Sequence, residues 1–97
     1  MKKYLVVIEK ARNNYSAFTP DIPGCITVGN TVEKTIEYMK EAIELAIEAG
    51  MDHSMNIPEP KGLLHHIKAG IFDKNEIADE YYIAQVEVPI PQPHHFT

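Results

Sequence analysis

Residues 18–31 read FTPDIPGCITVGNT, and this stretch decides the fold because it sets the boundaries of three elements. Pro20 and Pro23 restrict φ to about −65° and bias the preceding residues toward extended backbone. Gly24 then supplies the conformational freedom to turn back. Asp21, between the prolines, is suited to accept hydrogen bonds from backbone amides two or three residues on. The pattern predicts a strand, a rigid corner and a second strand.

A helix is predicted to follow at once, from residue 32 to residue 49. Asn30 is the expected N-cap, and Glu33 three residues later completes a pair that resembles a capping box. Apolar residues then recur with a helical period within an arc of about 100°, the width of a core-facing stripe. This first stripe comprises Val32, Ile36, Met39, Ile43, Ala46 and Ile47.

The same helix carries two further stripes. An acidic one spans about 80° of the helical wheel and comprises Glu33, Glu37, Glu41, Glu44 and Glu48. Like charges four residues apart destabilise a helix by a few tenths of a kcal/mol per pair, so the stripe has a small local cost. Two interpretations are open: a solvated face that keeps an acidic protein soluble, or a docking surface for a basic partner. The third stripe is apolar and is expected to receive residues 63–72 or, alternatively, a second subunit: Tyr38, Ala42, Leu45 and Ala49.

Strand patterns occur at residues 3–9, 15–19, 26–28 and 81–88. The first three are expected to form an antiparallel sheet, and the fourth to return parallel to the first strand at the sheet edge. Residues 62–72 predict a short helix with its apolar residues turned inward: Leu63, Leu64, Ile67 and Ile71. The fold class is therefore α+β, a three-stranded antiparallel sheet plus a fourth edge strand, packed on one long helix.

Bulk properties limit the function. The 97 residues are expected to form one domain, with 89–97 as a proline-rich tail. The net charge is −5, and Arg12 is the single arginine, so direct nucleic-acid binding is not expected and a basic partner is the natural complement. Cys25, the one cysteine, cannot form an internal disulfide. With no signal peptide or long apolar run in the sequence, a cytoplasmic protein without membrane contact is expected.

A family resemblance rests on the corner and its context. A strand, the pattern FxPDxPGCxTxGxT, a long amphipathic helix and then IPxP at residues 57–60 resemble the HicB antitoxin family. The resemblance runs from about residue 3 to residue 60, and more weakly over 81–88. It implies a truncated ribonuclease H-like fold, with element order β-β-β-α-(α)-β. It also implies a partner, a small basic toxin of the HicA type that cleaves messenger RNA, whose RNA-binding surface the antitoxin covers.

On this resemblance, the residues fall into two groups. The candidates for partner binding are Glu37, Glu41, Glu44, Glu48 and, with less support, Asp21. The corner residues are assigned to architecture: Pro20, Asp21, Pro23, Gly24, Cys25 and Gly29. Many family members carry a carboxy-terminal DNA-binding domain, and this sequence ends soon after the last strand, so promoter binding is not expected.

Catalysis, metal binding and cofactors are not expected. No histidine is placed beside Cys25 by the pattern, and His65 and His66 point about 100° apart on a helix, which does not favour a shared metal. The first strand has an apolar centre, with Glu9 at its end, and so lacks the carboxylate set of a ribonuclease H-like nuclease. The alternative function is a self-associating scaffold or small-ligand module, as a homodimer or homotetramer.

Overall fold

The computed structural model describes residues 1–52, 56–73 and 75–89. Apart from residue 89, the predicted proline-rich tail lies outside them. The elements in chain order confirm the predicted α+β class: β1 Lys2–Lys10, β2 Tyr15–Phe18, β3 Ile26–Gly29, α1 Val32–Asp52, α2 Leu63–Lys68 and β4 Tyr81–Val88. In the part of the chain that the structure describes, none of the helices combines the length and apolar character needed to cross a bilayer.

The sheet has the order β3-β2-β1-β4, with every neighbouring pair antiparallel. β4 lies at an edge, as expected, but its predicted parallel direction is wrong. The connector after α1 returns to the start of β1, where the Tyr4 hydroxyl donates to the carbonyl of Pro58 at 2.7 Å. The chain then travels to the other end of β1, where the Lys10 amide donates to the carbonyl of Glu80 at 2.9 Å. β4 therefore starts beside the end of β1 and runs back along it.

One face of the sheet packs on α1, and the first stripe of the helix supplies the contact. Met39, Ile43 and Ile47 are buried, and the other members of the stripe are half-buried. The sheet residues that complete this core are Tyr4, Val6, Ile8, Ala17, Val86 and Val88.

The second sheet face is crossed by the segment that follows α2. Phe72 stacks on Tyr81 with ring centroids 5.2 Å apart, and the Ala78 amide donates to Glu9 Oε1 at 3.2 Å. Glu9 and Tyr81 are opposite each other in the β1–β4 register. They share the face that carries Leu5 and Val7, because alternate residues of a strand lie on one side.

Residues 63–72 do not cover the third stripe of α1 as expected, and the alternative occupant, a second subunit, stays a prediction. Tyr38 and Leu45 remain 42% and 66% exposed. The inward apolar face predicted for α2 is also wrong, since Leu64 and Ile67 are 64% and 49% exposed while His66 is buried. The physical reason is a polar contact between His66 and the corner, described below.

The start of α1 differs by one residue from the prediction. The helix begins at Val32, so Thr31 is the N-cap, and its Oγ1 accepts a hydrogen bond from the Lys34 amide at 3.0 Å. The third helical position is thus Lys34 rather than Glu33, and the expected capping box with Asn30 is wrong.

Candidate functional site

The corner between β2 and β3 consists of two short turns. The Ile22 amide donates to the carbonyl of Thr19, and the Cys25 amide to the carbonyl of Ile22, each at 3.2 Å. Gly24 has φ of 83°, a conformation that side chains with a Cβ rarely adopt. The corner is therefore rigid, as the two prolines predict.

Asp21 is enclosed by the chain rather than presented to solvent. Its side chain is 1% exposed, and its Oδ1 accepts from the Lys61 amide at 3.2 Å and lies 3.0 Å from His66 Nε2. The sequence predicted amide partners two or three residues on, whereas the amide it accepts from lies 40 residues away. A carboxylate in this position cannot contact a partner directly, so the geometry favours the architectural role of Asp21 over its predicted role in partner binding.

His66 is the functional-site residue that sequence reasoning missed. The sequence pattern disfavours a metal site shared with His65 and indicates no other role, but His66 is buried against the corner while His65 is exposed. A buried carboxylate needs hydrogen-bond donors, and this requirement is the signal that could have pointed to a distant histidine. Among the described residues, no group of three or more His, Cys, Asp or Glu side chains is placed to hold a metal ion.

A cleft of about 560 Å³ opens beside this pair. Asp21 and His66 form part of its wall, and the prolines of the corner and connector form another part. Asp21 Oδ2 and Thr19 Oγ1 are buried and make no hydrogen bond within the described residues. Because the contact of Asp21 with His66 joins segments 45 residues apart, the pair acts as a clamp between the corner and α2.

The acidic row of α1 faces solvent and comprises Glu33, Glu37, Glu41, Glu44 and Glu48. All are exposed except Glu44, which is half-buried. Glu37 Oε2 forms an ion pair with Lys34 Nζ at 3.2 Å, and no basic residue lies in the last turn of the helix. The structure thus places the four predicted glutamates on one face of the helix and leaves Asp21 apart from them.

An apolar groove lies between α1 and the corner, next to the acidic row. Its volume is about 430 Å³. Leu45 lies one helical turn from both Glu41 and Glu48, so the groove and the acidic row are neighbours. Sequence periodicity revealed the helical stripe but not the opposite wall, which comes from the corner. The residues that line the groove include Pro23, Cys25, Ile26, Ala42, Leu45 and Ala46.

Two corner residues predicted as architectural have clear packing roles. Cys25 is 8% exposed with its Sγ 3.9 Å from Met39 Sδ, and burial raises the pKa of the thiol. A Cβ on Gly29 would lie 2.5 Å from Thr35 Oγ1 and 3.0 Å from its backbone. Glycine at this position therefore lets β3 and α1 approach closely.

Sequence relatives of this chain occur in a phage, a bacterium and an archaeon. A 14.9 kDa protein of Haemophilus phage HP1 is 31% identical over 64 residues, which are 66% of this chain and 48% of the phage protein. A UPF0150 protein of Helicobacter pylori is 49% identical over 39 residues, covering 40% of this chain and 54% of the relative. A UPF0150 protein of Thermoplasma acidophilum is 39% identical over 57 residues, covering 58% of this chain and 83% of the relative. The matched part of this chain spans about half the length of the first two relatives.

Solved structures share the fold. The N-terminal domain of the Burkholderia pseudomallei antitoxin HicB superposes with a TM-score of 0.71 at 23% identity, covering 90% of this chain and 98% of that domain. A chain of the HicA3 and HicB3 toxin-antitoxin complex gives a TM-score of 0.67 at 27% identity, with the same coverage. The sequence model described as "HicB_like antitoxin of bacterial toxin-antitoxin system" matches residues 4–89. With most of its length matched, the chain belongs to the HicB-like antitoxin family.

Proposed function

We propose that this chain is an antitoxin that binds a small basic toxin of the HicA type and covers the toxin's RNA-binding surface. The observation that carries the proposal is the exposed acidic row on α1. A surface that attracts RNA phosphates also attracts clustered carboxylates, and opposite charges steer two proteins together. The proposed action is stoichiometric occlusion in the cytoplasm, where messenger RNA is cleaved, and not catalysis by this chain.

Membership of the family and the HicA3 and HicB3 complex among the structural matches support a toxin as partner. A net charge of −5 supports a basic protein as the ligand and disfavours phosphate backbones. Within the acidic row, we propose that Glu37, Glu41, Glu44 and Glu48 form the charged part of the interface. Asp21 contributes indirectly, by holding α2 on the corner.

Charge reversal tests the acidic row. The chain is co-expressed with the small basic protein of the neighbouring reading frame, and the Kd of the purified pair is measured by calorimetry at low salt. Glu41→Lys with Glu48→Lys is expected to weaken binding by about tenfold or more, because each reversal replaces an attraction with a repulsion of similar size.

Glu76→Lys with Asp79→Lys is the matched control, since both residues are exposed and lie outside α1, and the two reversals change the net charge equally. The control is expected to bind more tightly than the α1 variant. Equal losses in the two variants would mean that only net charge matters, and unchanged binding in both would remove the acidic row from the interface.

A self-associating scaffold is the second candidate function. It is favoured by β4, an eight-residue strand that pairs only with β1 among the described residues and exposes Ile83 by 44%. An open apolar edge favours pairing with another copy. Light scattering on the free chain distinguishes a monomer from the homodimer or homotetramer that this function requires, and a toxin-free neighbourhood in the genome would favour it over the antitoxin.

A further inference from the structure

We infer that the apolar groove between α1 and the corner receives an apolar side chain of the toxin, carried on a segment whose flanking Lys or Arg residues contact the acidic row. The inference rests on the proposed function and assigns it a surface. It adds an apolar centre to the interface, formed by the exposed groove residues Leu45 and Pro23, with Tyr38 further along the same stripe of α1.

Apolar surface is exposed at the groove. Leu45 is 66% exposed on a helix whose core stripe packs on the sheet, and Pro23 on the facing wall is also exposed. Tyr38, in the same stripe as Leu45 and two turns earlier in α1, is 42% exposed. Large apolar side chains that cluster beside a concavity mark interaction sites more often than scattered ones do.

The shape of the groove is an open concavity of about 430 Å³. A partner side chain can therefore enter it without rearrangement of the core. Its walls are rigid, because one is a regular helix and the other a corner fixed by two prolines. A preformed apolar site loses little conformational entropy when it is filled.

Charge decides which occupant the groove favours. Glu41 and Glu48 each lie one helical turn from Leu45, so a segment seated in the groove has carboxylates along one side. A second copy of this chain would bring another molecule of net charge −5 against that row. A partner with Lys or Arg beside its apolar anchor gains attraction at the same place. The result is a common interface arrangement, an apolar centre beside a charged rim.

The test changes the helix wall of the groove at two positions. Leu45→Gln removes apolar surface at an exposed position, and Ala42→Gln places a polar side chain in the groove at a half-buried position, so neither is expected to unfold the chain. Each is expected to weaken the Kd for the neighbouring reading frame's basic protein by about tenfold, because the apolar anchor of the toxin then meets a polar side chain. Thermal melts check that each variant folds.

Leu64→Gln is the matched control, because Leu64 has the same residue type as Leu45 and 64% exposure but lies on α2. Its Kd is expected to stay within about twofold of wild type. If wild type forms no complex, the proposed function fails and this inference with it. If wild type binds and both groove variants bind as tightly as Leu64→Gln, the groove inference alone is overturned. If Leu45→Gln instead changes the oligomeric state of the free chain at constant Kd for the toxin, the groove belongs to a second copy, which also overturns it.

Discussion

Asp21 contacts parts of the chain that lie 40 and 45 residues away, at Lys61 and His66. Burying a carboxylate costs free energy unless hydrogen-bond donors surround it. The stability of the corner therefore depends on the donors near α2, and the position of α2 depends on the corner. This dependence explains why α2 turns a histidine inward and leaves Leu64 and Ile67 exposed. A single pairing thus overrides the apolar pattern of a short helix.

Replacing His66 is expected to destabilise the protein. His66→Ala leaves the enclosed carboxylate with the Lys61 amide as its described partner, and a loss of about 1–3 kcal/mol in the free energy of unfolding is expected. His65→Ala is the control, since His65 is the exposed neighbour on the same helix, and its change is expected to stay within about 0.5 kcal/mol. Urea denaturation measures both. Equal losses would show that the helix, and not the pairing with Asp21, accounts for the effect.

At the scale of the element, α1 presents three different surfaces. One stripe packs on the sheet, the acidic row faces solvent, and the stripe with Leu45 borders the groove. The acidic row is kept although its i,i+4 repulsions cost a few tenths of a kcal/mol per pair. Because the acidic row does not stabilise the helix, a role in binding a partner explains it better than a role in folding. The start of the helix is secured by Thr31, whose hydroxyl and carbonyl both accept hydrogen bonds.

The cap gives an element-scale prediction. Thr31→Ala removes the side-chain acceptor of the Lys34 amide and is expected to lower the free energy of unfolding by about 1 kcal/mol. Asn30→Ala is expected to change it by less than about 0.5 kcal/mol, because Asn30 precedes the cap and is exposed. Thermal denaturation of the two variants provides the comparison. A larger loss for Asn30→Ala would restore the capping box predicted from the pattern.

At the scale of the whole molecule, the path from α1 to β4 decides the architecture. The connector packs at the start of β1 through Tyr4 and Pro58, and the segment after α2 crosses the second sheet face to reach the end of β1. Both faces of β1 are therefore covered at its centre, where Leu5 and Val7 are buried opposite Tyr4, Val6 and Ile8.

The burial of two ionisable side chains, Cys25 and Tyr4, predicts that the folded protein loses stability at alkaline pH. Burial raises the pKa of the Cys25 thiol from 9.0, and burial, followed by the nearby carboxylates of Glu59 and Asp21, raises the pKa of Tyr4 from 10.0. The unfolded chain releases these protons first, so the stabilisation is fully present below about pH 9 and is lost as pH rises through the folded-state values. Cys25→Ala should therefore show a shallower decline in the free energy of unfolding between about pH 8 and pH 10 than wild type. Parallel declines in urea titrations would show that the thiol contributes nothing to it.

The sequence alone determined the corner, the positions of the main elements and the three stripes of α1, because prolines, glycines and side-chain periodicity act on the backbone within a few residues. The α+β class followed from those local signals. Tertiary structure alone decided the direction of β4, the pairing of Asp21 with His66, and the groove between α1 and the corner. Each of these depends on segments far apart in the chain, and the free energy of burying and pairing them is set by packing that no local pattern records.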